Sequence, residues 1–232
     1  MKLELQNIGK SFGDLVIFRD FSVSFTVNGI NCILGPSGCG KTSLLNMISG
    51  TLSPDTGSTG DFPQLSHSVV FQDPRLLPWK TAKENIAFVL KEKMHGEELD
   101  KKVNEYLGLM QLEGFGDYYP SKLSGGMKQR VALARAFSFK SDVILLDEPF
   151  KALDYKLKYS LIDQFLRLWE TDRRTVIFVT HDVDEALHIG HRLFLFSQAP
   201  VQVRGQYEIP ADSARRDTLR KELFEQLNGD GQ

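Results

Sequence analysis

The chain is poor in the features that would place it in a specialised class. It has two cysteines in 232 residues, Cys32 and Cys39, too few for a disulfide framework. That scarcity points to a reducing compartment. No window holds 18 consecutive apolar residues, so no membrane span is expected. The opening MKLELQNIGKSFGD alternates apolar and polar residues and lacks the apolar centre of a signal peptide. There is no internal repeat, low-complexity run or evident linker. Charge of one sign is also lacking. Lys and Arg number 28 against 30 Asp and Glu, a net charge of −2, which argues against a surface built for nucleic acid. Apolar residues make up 41% of the chain, too many for a disordered one. One large domain, or two small ones, is left.

What is present falls into three textures. Residues up to about 34 read as strands, with Leu3 and Leu5, then Phe21, Val23, Phe25 and Val27, alternating with polar residues. The apolar run 30–34 stops at Gly35, and Lys41 to Ser49 has the spacing of a helix, with Gly50 as its stop. Residues 77–140 read as mostly helical. Thr81 and Glu84 have capping-box spacing, and Leu99, Val103, Leu107 and Met110 recur at helical intervals. From 143 buried strands return: 143–146 and 176–179 are continuous apolar runs with a helix, 157–169, between them, a β–α–β texture. A further strand is expected at 193–196 and a terminal surface helix at about 212–228.

Three motifs carry chemistry. Residues 35–42 read Gly35, Pro36, Ser37, Gly38, Cys39, Gly40, Lys41, Thr42, matching G-x-x-x-x-G-K-[ST] between a strand and a helix. The glycines let backbone N–H groups turn inward as a nest for anionic oxygens, and the helix N-terminus adds its positive dipole end. Lys41 supplies a point charge for the β- and γ-phosphates, Thr42 a hydroxyl for Mg²⁺, and Ser43 reaches the α-phosphate side. Next, the apolar run 143–146 ends in Asp147 and Glu148. Ligands of parallel sheets bind beyond the carboxyl ends of strands. If the two strands are neighbours, Asp147 is suited to hold Mg²⁺ through water and Glu148 to act as general base. Third, Ser124, Gly125 and Gly126 open a helix, a further anion-binding N-terminus or an ordinary N-cap.

The string Leu-Ser-Gly-Gly-Met-Lys-Gln-Arg at 123–130 resembles the signature of ATP-binding subunits of ABC transporters, with Met127 where Gln is usual. The order of motifs matches that family over roughly residues 1–200. The resemblance implies an α/β fold: a P-loop NTPase core with a mixed, mostly parallel sheet, an N-terminal antiparallel β subdomain and a helical subdomain. It implies one domain, 1–232, with the helical part (about 77–140) inserted and about 200–232 as a C-terminal extension. The stretch 57–67 is shorter than the usual β insertion, so a trimmed antiparallel subdomain is expected.

The resemblance also implies roles for individual residues. Phe12 resembles the aromatic that stacks on adenine. Gln72 resembles the glutamine-loop residue that touches Mg²⁺ or water and senses the membrane partner. His181 resembles the switch histidine that contacts the γ-phosphate. Asp154 resembles the D-loop aspartate at the dimer seam, although Lys151 stands where that family usually has Ser. Residues 124–126 would then serve the ATP bound by a second copy, in a head-to-tail homodimer. An integral membrane permease subunit is the expected partner, gripping the 74–90 region, with an external solute-binding protein in the full system. The implied place is the cytoplasmic face of the membrane, held peripherally. The string from Phe71 to Trp79 looks most like importers of the nitrate, sulfonate and taurine group. The alternative is a soluble ABC-type ATPase acting on nucleic acid or the ribosome. Against it stand the short gap from Lys41 to Leu123, which leaves no room for a long coiled coil, and the single cassette. A small-molecule kinase would explain neither the signature nor His181.

Overall fold

A computed structural model describes residues 3–151 and 153–228. In chain order the strands are β1 (Glu4–Phe12), β2 (Leu15–Ser24), β3 (Ile30–Leu34), β4 (Thr56–Ser58), β5 (His67–Val70), β6 (Val143–Asp147), β7 (Thr175–Thr180), β8 (Arg192–Phe196) and β9 (Val203–Glu208). The helices are α1 (Lys41–Ile48), α2 (Ala82–Ala87), α3 (Gly96–Leu109), α4 (Gly125–Ser138), α5 (Tyr155–Asp172), α6 (Val183–Ile189) and α7 (Ser213–Asn228). They fall into two compact units, Met1–His67 with Arg174–Gln232, and Ser68–Arg173.

The first unit holds two sheets. One is antiparallel, ordered β2-β1-β4. Its outer strand β4 has only three residues, all exposed. The other places β3 between β7 and β8, both parallel to it, with β9 closing antiparallel on β8. All five residues of β3 and all six of β7 are buried, which is why both read as unbroken apolar runs. Leu34 pairs with Thr180 at the carboxyl ends of β3 and β7, so Gly35 and His181 leave neighbouring strands at the same edge.

Phenylalanines join the two sheets. Phe21 meets Phe18 and Phe196, and Phe25 meets Phe194 and Phe62, with ring centroids 4.9–6.2 Å apart. Each such pair is worth about 0.5–1.5 kcal/mol beyond the area it buries. The turn into β3 is held by Asn31, whose buried side chain accepts from the Thr26 N–H (2.8 Å) and donates to the Thr26 carbonyl (2.9 Å).

In the second unit β5 lies beside β6, and helices α2 to α5 supply the rest. Thr81 and Glu84 form the expected capping box: the Thr81 N–H donates to Glu84 (2.7 Å) and the Glu84 N–H to Thr81 Oγ1 (3.3 Å). Asn85, fully buried, fastens the segment ahead of α2. It accepts from the Leu77 N–H and donates to the carbonyls of Leu77, Lys80 and Thr81. Phe165 of α5 packs against Phe137 of α4 and against Phe150 just beyond β6, all three fully buried. Among the described residues no helix is long and apolar enough to cross a membrane.

Candidate functional site

The phosphate-loop residues sit where β3 hands over to α1. Gly35 is wedged so tightly that a Cβ there would lie 3.0 Å from Phe196 Cβ and 3.3 Å from Cys39 Sγ. Gly38 (φ +79°) faces open space, and a Cβ on it would meet nothing within 4 Å. Gly40 (φ +115°) caps α1 with no side-chain hydrogen bond, and a Cβ on it would strike Ile17 Cγ2 at 2.4 Å. Pro36 and Ser37 form the outer bend, and Cys39 is buried beneath it. Lys41 is almost wholly buried, yet its ammonium turns back over the loop and donates to the carbonyls of Gly35 (2.8 Å) and Pro36 (2.7 Å). Thr42 and Ser43 follow in the first turn of α1. A concave backbone with one cation aimed into it fits a polyphosphate.

His181 is exposed at the end of β7, on a turn braced from below. Thr180 Oγ1 donates to the buried Glu185 carboxylate (2.7 Å) and accepts from the Asp182 N–H (3.0 Å). Asp182 in turn caps α6, accepting from the N–H groups of Asp184 and Glu185. Sequence reading missed this brace. Its one signal was an Asp three residues before a Glu at the start of a helix. Elsewhere in the unit, His191 is structural, since Nδ1 accepts from the Ile30 N–H at 3.0 Å. Phe12 ends β1 with its ring about half exposed and Lys10 Nζ 5.6 Å from its centroid. It is a surface aromatic, not a core one. Lys10 is itself tied to Asp55 at 2.6 Å; that hydrogen bond, with the Ser11 N–H, holds the Asp55 carboxyl below its usual range.

In the second unit the buried strand β6 ends in Asp147 and Glu148, each only 8% exposed. Glu148 adopts a left-handed backbone (φ +44°), uncommon for a residue with a side chain. Its carboxylate meets Lys151 Nζ at 2.7 Å. Gln72 is exposed on the bend after β5. Beyond it, the Arg75 guanidinium lies 3.8 Å over the Phe71 ring, and Arg135 of α4 donates to the carbonyls of Pro74 and Arg75.

Ser124 caps α4, accepting from the Met127 N–H at 3.3 Å. Its two glycines differ. Gly126 is buried, and a Cβ there would strike Leu157 of α5 at 2.4 Å, whereas Gly125 has open space on its side-chain side. Asp154 caps α5 through the Leu157 N–H (3.0 Å) and is exposed.

A mixed sheet whose strand end carries this loop defines a nucleotide-binding protein of the phosphate-loop class. A family described as ABC transporter matches residues 18–151. The nitrate import ATP-binding protein NrtD of Synechococcus elongatus is 39% identical over 92% of this chain and 83% of its own length. The taurine import ATP-binding protein TauB of Pelagibacter ubique is 37% identical over 88% of this chain and 80% of its own. A dimeric ATP-binding cassette, MJ0796, solved with ADP and Pi in a post-hydrolysis state, aligns with 91% of this chain and its own full length, at 30% identity and a TM-score of 0.77. The chain belongs to the ABC transporter family as an importer-type ATP-binding subunit with an α/β fold, and its activity is ATP hydrolysis.

Proposed function

We propose that this chain drives import of a small solute through a permease at the cytoplasmic face of a membrane, with an external solute-binding protein delivering the cargo. One observation carries the reading. The phosphate loop with its inward-aimed Lys41 and the exposed His181 leave adjacent parallel strands at one edge. Loop backbone from Gly35 to Gly40, with Thr42 and Ser43, holds the phosphates, Lys41 spans the β- and γ-groups, and His181 contacts the γ-phosphate. Phe12 stacks on the adenine. The donors Thr42, Gln72 and Asp147 are all oxygens, the chemistry that suits a hard divalent cation. Bound there, Mg²⁺ supplies charge neutralisation at the phosphates.

Glu148 takes the proton of the attacking water. The water oxygen bonds to the γ-phosphorus, the β–γ bridging P–O bond breaks, and ADP leaves with its electron pair. The other half of each site comes from a second copy. Ser124, Gly125 and Gly126 offer a helix N-terminus to the γ-phosphate on its loop, with Asp154 at the seam. The open side of Gly125 supports this, because a backbone left bare allows close approach. Closing the dimer assembles the donors and excludes water, and hydrolysis releases it. Residues 74–90, with Trp79 and Phe88 about two-thirds and half exposed, are the surface offered to the permease.

Glu148→Gln tests the chemistry, because an amide keeps the shape and cannot take the proton. Turnover should fall by about 10²-fold or more while MgATP still binds, and the variant should elute as an ATP-dependent dimer. Hydrolysis at the wild-type rate removes Glu148 as base.

A further inference from the structure

The turn that follows the acidic pair places a cation on one of the acids. Lys151 Nζ lies 2.7 Å from Glu148 Oε2. The contact is built into the backbone. The Lys151 N–H donates to the Glu148 carbonyl at 3.2 Å, closing a tight turn through Pro149 and Phe150. Glu148 enters that turn in the left-handed region (φ +44°), a conformation that persists only where its surroundings enforce it. Phe150, fully buried against Phe165, is the anchor that does so. The two ends of the pair differ sharply: the Glu148 side chain is 9% exposed and the Lys151 side chain 39%. The carboxylate is fixed and sheltered, while the ammonium reaches in from the surface and can swing away.

A general base needs a lone pair facing the water. An ammonium 2.7 Å from Oε2 competes with that water for it. We infer that Lys151 is a positioning residue that restrains the base: in the chain without nucleotide it holds the Glu148 carboxylate, and turnover starts from the state in which that pair has opened. The inference rests on Glu148 as general base. A fully buried pair would lock the site. One whose cation is this accessible to solvent is worth little, so it acts as a brake of a fewfold.

The test is steady-state hydrolysis of MgATP by the full chain, comparing Lys151→Met, which keeps length and loses charge, with Lys151→Arg, which keeps charge. Lys151→Met should raise kcat about two- to fivefold and leave KM for ATP within about twofold, since Lys151 is not among the groups assigned to the nucleotide. Lys151→Arg should bring the rate back towards wild type. A purely structural lysine gives a lower kcat in Lys151→Met, paired with a lower melting temperature, and that result overturns the inference. So does an unchanged kcat, or an arginine variant as fast as the methionine one. Glu148→Gln separates the two claims. If it hydrolyses normally, the base assignment falls and the brake with it. If it is inactive while Lys151→Met runs at the wild-type rate, only the brake falls.

Discussion

Two helix N-termini in this chain are candidates to hold phosphate, and they are built by opposite means. At α1 the cap is Gly40, in a conformation that side chains rarely adopt and pressed against Ile17, with no side-chain hydrogen bond. The residues around it, Gly35, Cys39 and Lys41, are buried. At α4 the cap is Ser124, which uses its own hydroxyl on the Met127 N–H, and it and Gly125 are exposed. The first is a loop shaped by backbone, enclosed at its base and exposed at Ser37 and Gly38. The second is an ordinary capped helix whose surroundings are solvent. The contrast teaches that a helix N-terminus can be shaped by backbone alone, as at α1, or closed by its own side-chain cap, as at α4.

The largest effect should come from breaking the enclosed end. Gly40→Ala forces a side chain into a φ of +115° and to within 2.4 Å of Ile17. About 1–3 kcal/mol of strain is expected, visible as a lower melting temperature, and ATP affinity should fall about tenfold or more because the loop must shift. An undisturbed loop that still binds ATP at wild-type strength would show that the enclosure is not what holds the nucleotide.

The smallest effect sits behind that loop. Burial first, and Glu185 second, push the Cys32 thiol well above its ordinary value of 9.0. The folded chain therefore keeps this thiol neutral at pH values where the unfolded chain ionises it. Below 9.0 the group contributes no pH dependence; as pH rises past 9.0 the unfolded state gains and stability falls, by at most about 1.4 kcal/mol per unit. Urea unfolding on either side of that pH should show the slope in the wild type and lose it in Cys32→Ala.

The enclosed end was legible in sequence and the open end was not, for a physical reason. A loop that makes its own nest must spend glycines at fixed spacing, and an apolar strand must stop just before it. A helix capped by its own serine looks like any capped helix, so 124–126 read as an anion site or an ordinary N-cap, and its tie to a second copy came only through the resemblance at 123–130. Strands buried on both faces, β3, β6 and β7, were readable as unbroken apolar runs. The edge strand β9 was not, since Val203, Gly205 and Tyr207 alternate with exposed polar residues on a half-covered face. The terminal helix was expected at about the right place, but its anchors were hidden. Leu219 and Leu223 are buried, Arg220 pairs with Asp184 of α6, and Tyr207 of β9 donates to Glu222 (3.0 Å). Such contacts join residues far apart in sequence and leave no local pattern. The Lys151–Glu148 pair is the middle case: both residues were noticed, but only the left-handed turn at Glu148 makes them meet.

The most direct test of a site shared between two copies is complementation. Lys41→Ala spoils a chain's own loop, and Ser124→Ala spoils what it lends. In a dimer of one of each, both defects fall on one site and the other is intact. With random pairing, mixing two inactive parents should restore roughly a quarter of the wild-type sites. ATP hydrolysis by the equimolar mixture that rises well above either parent is the expected result. A mixture no faster than the mean of its parents would contradict the account.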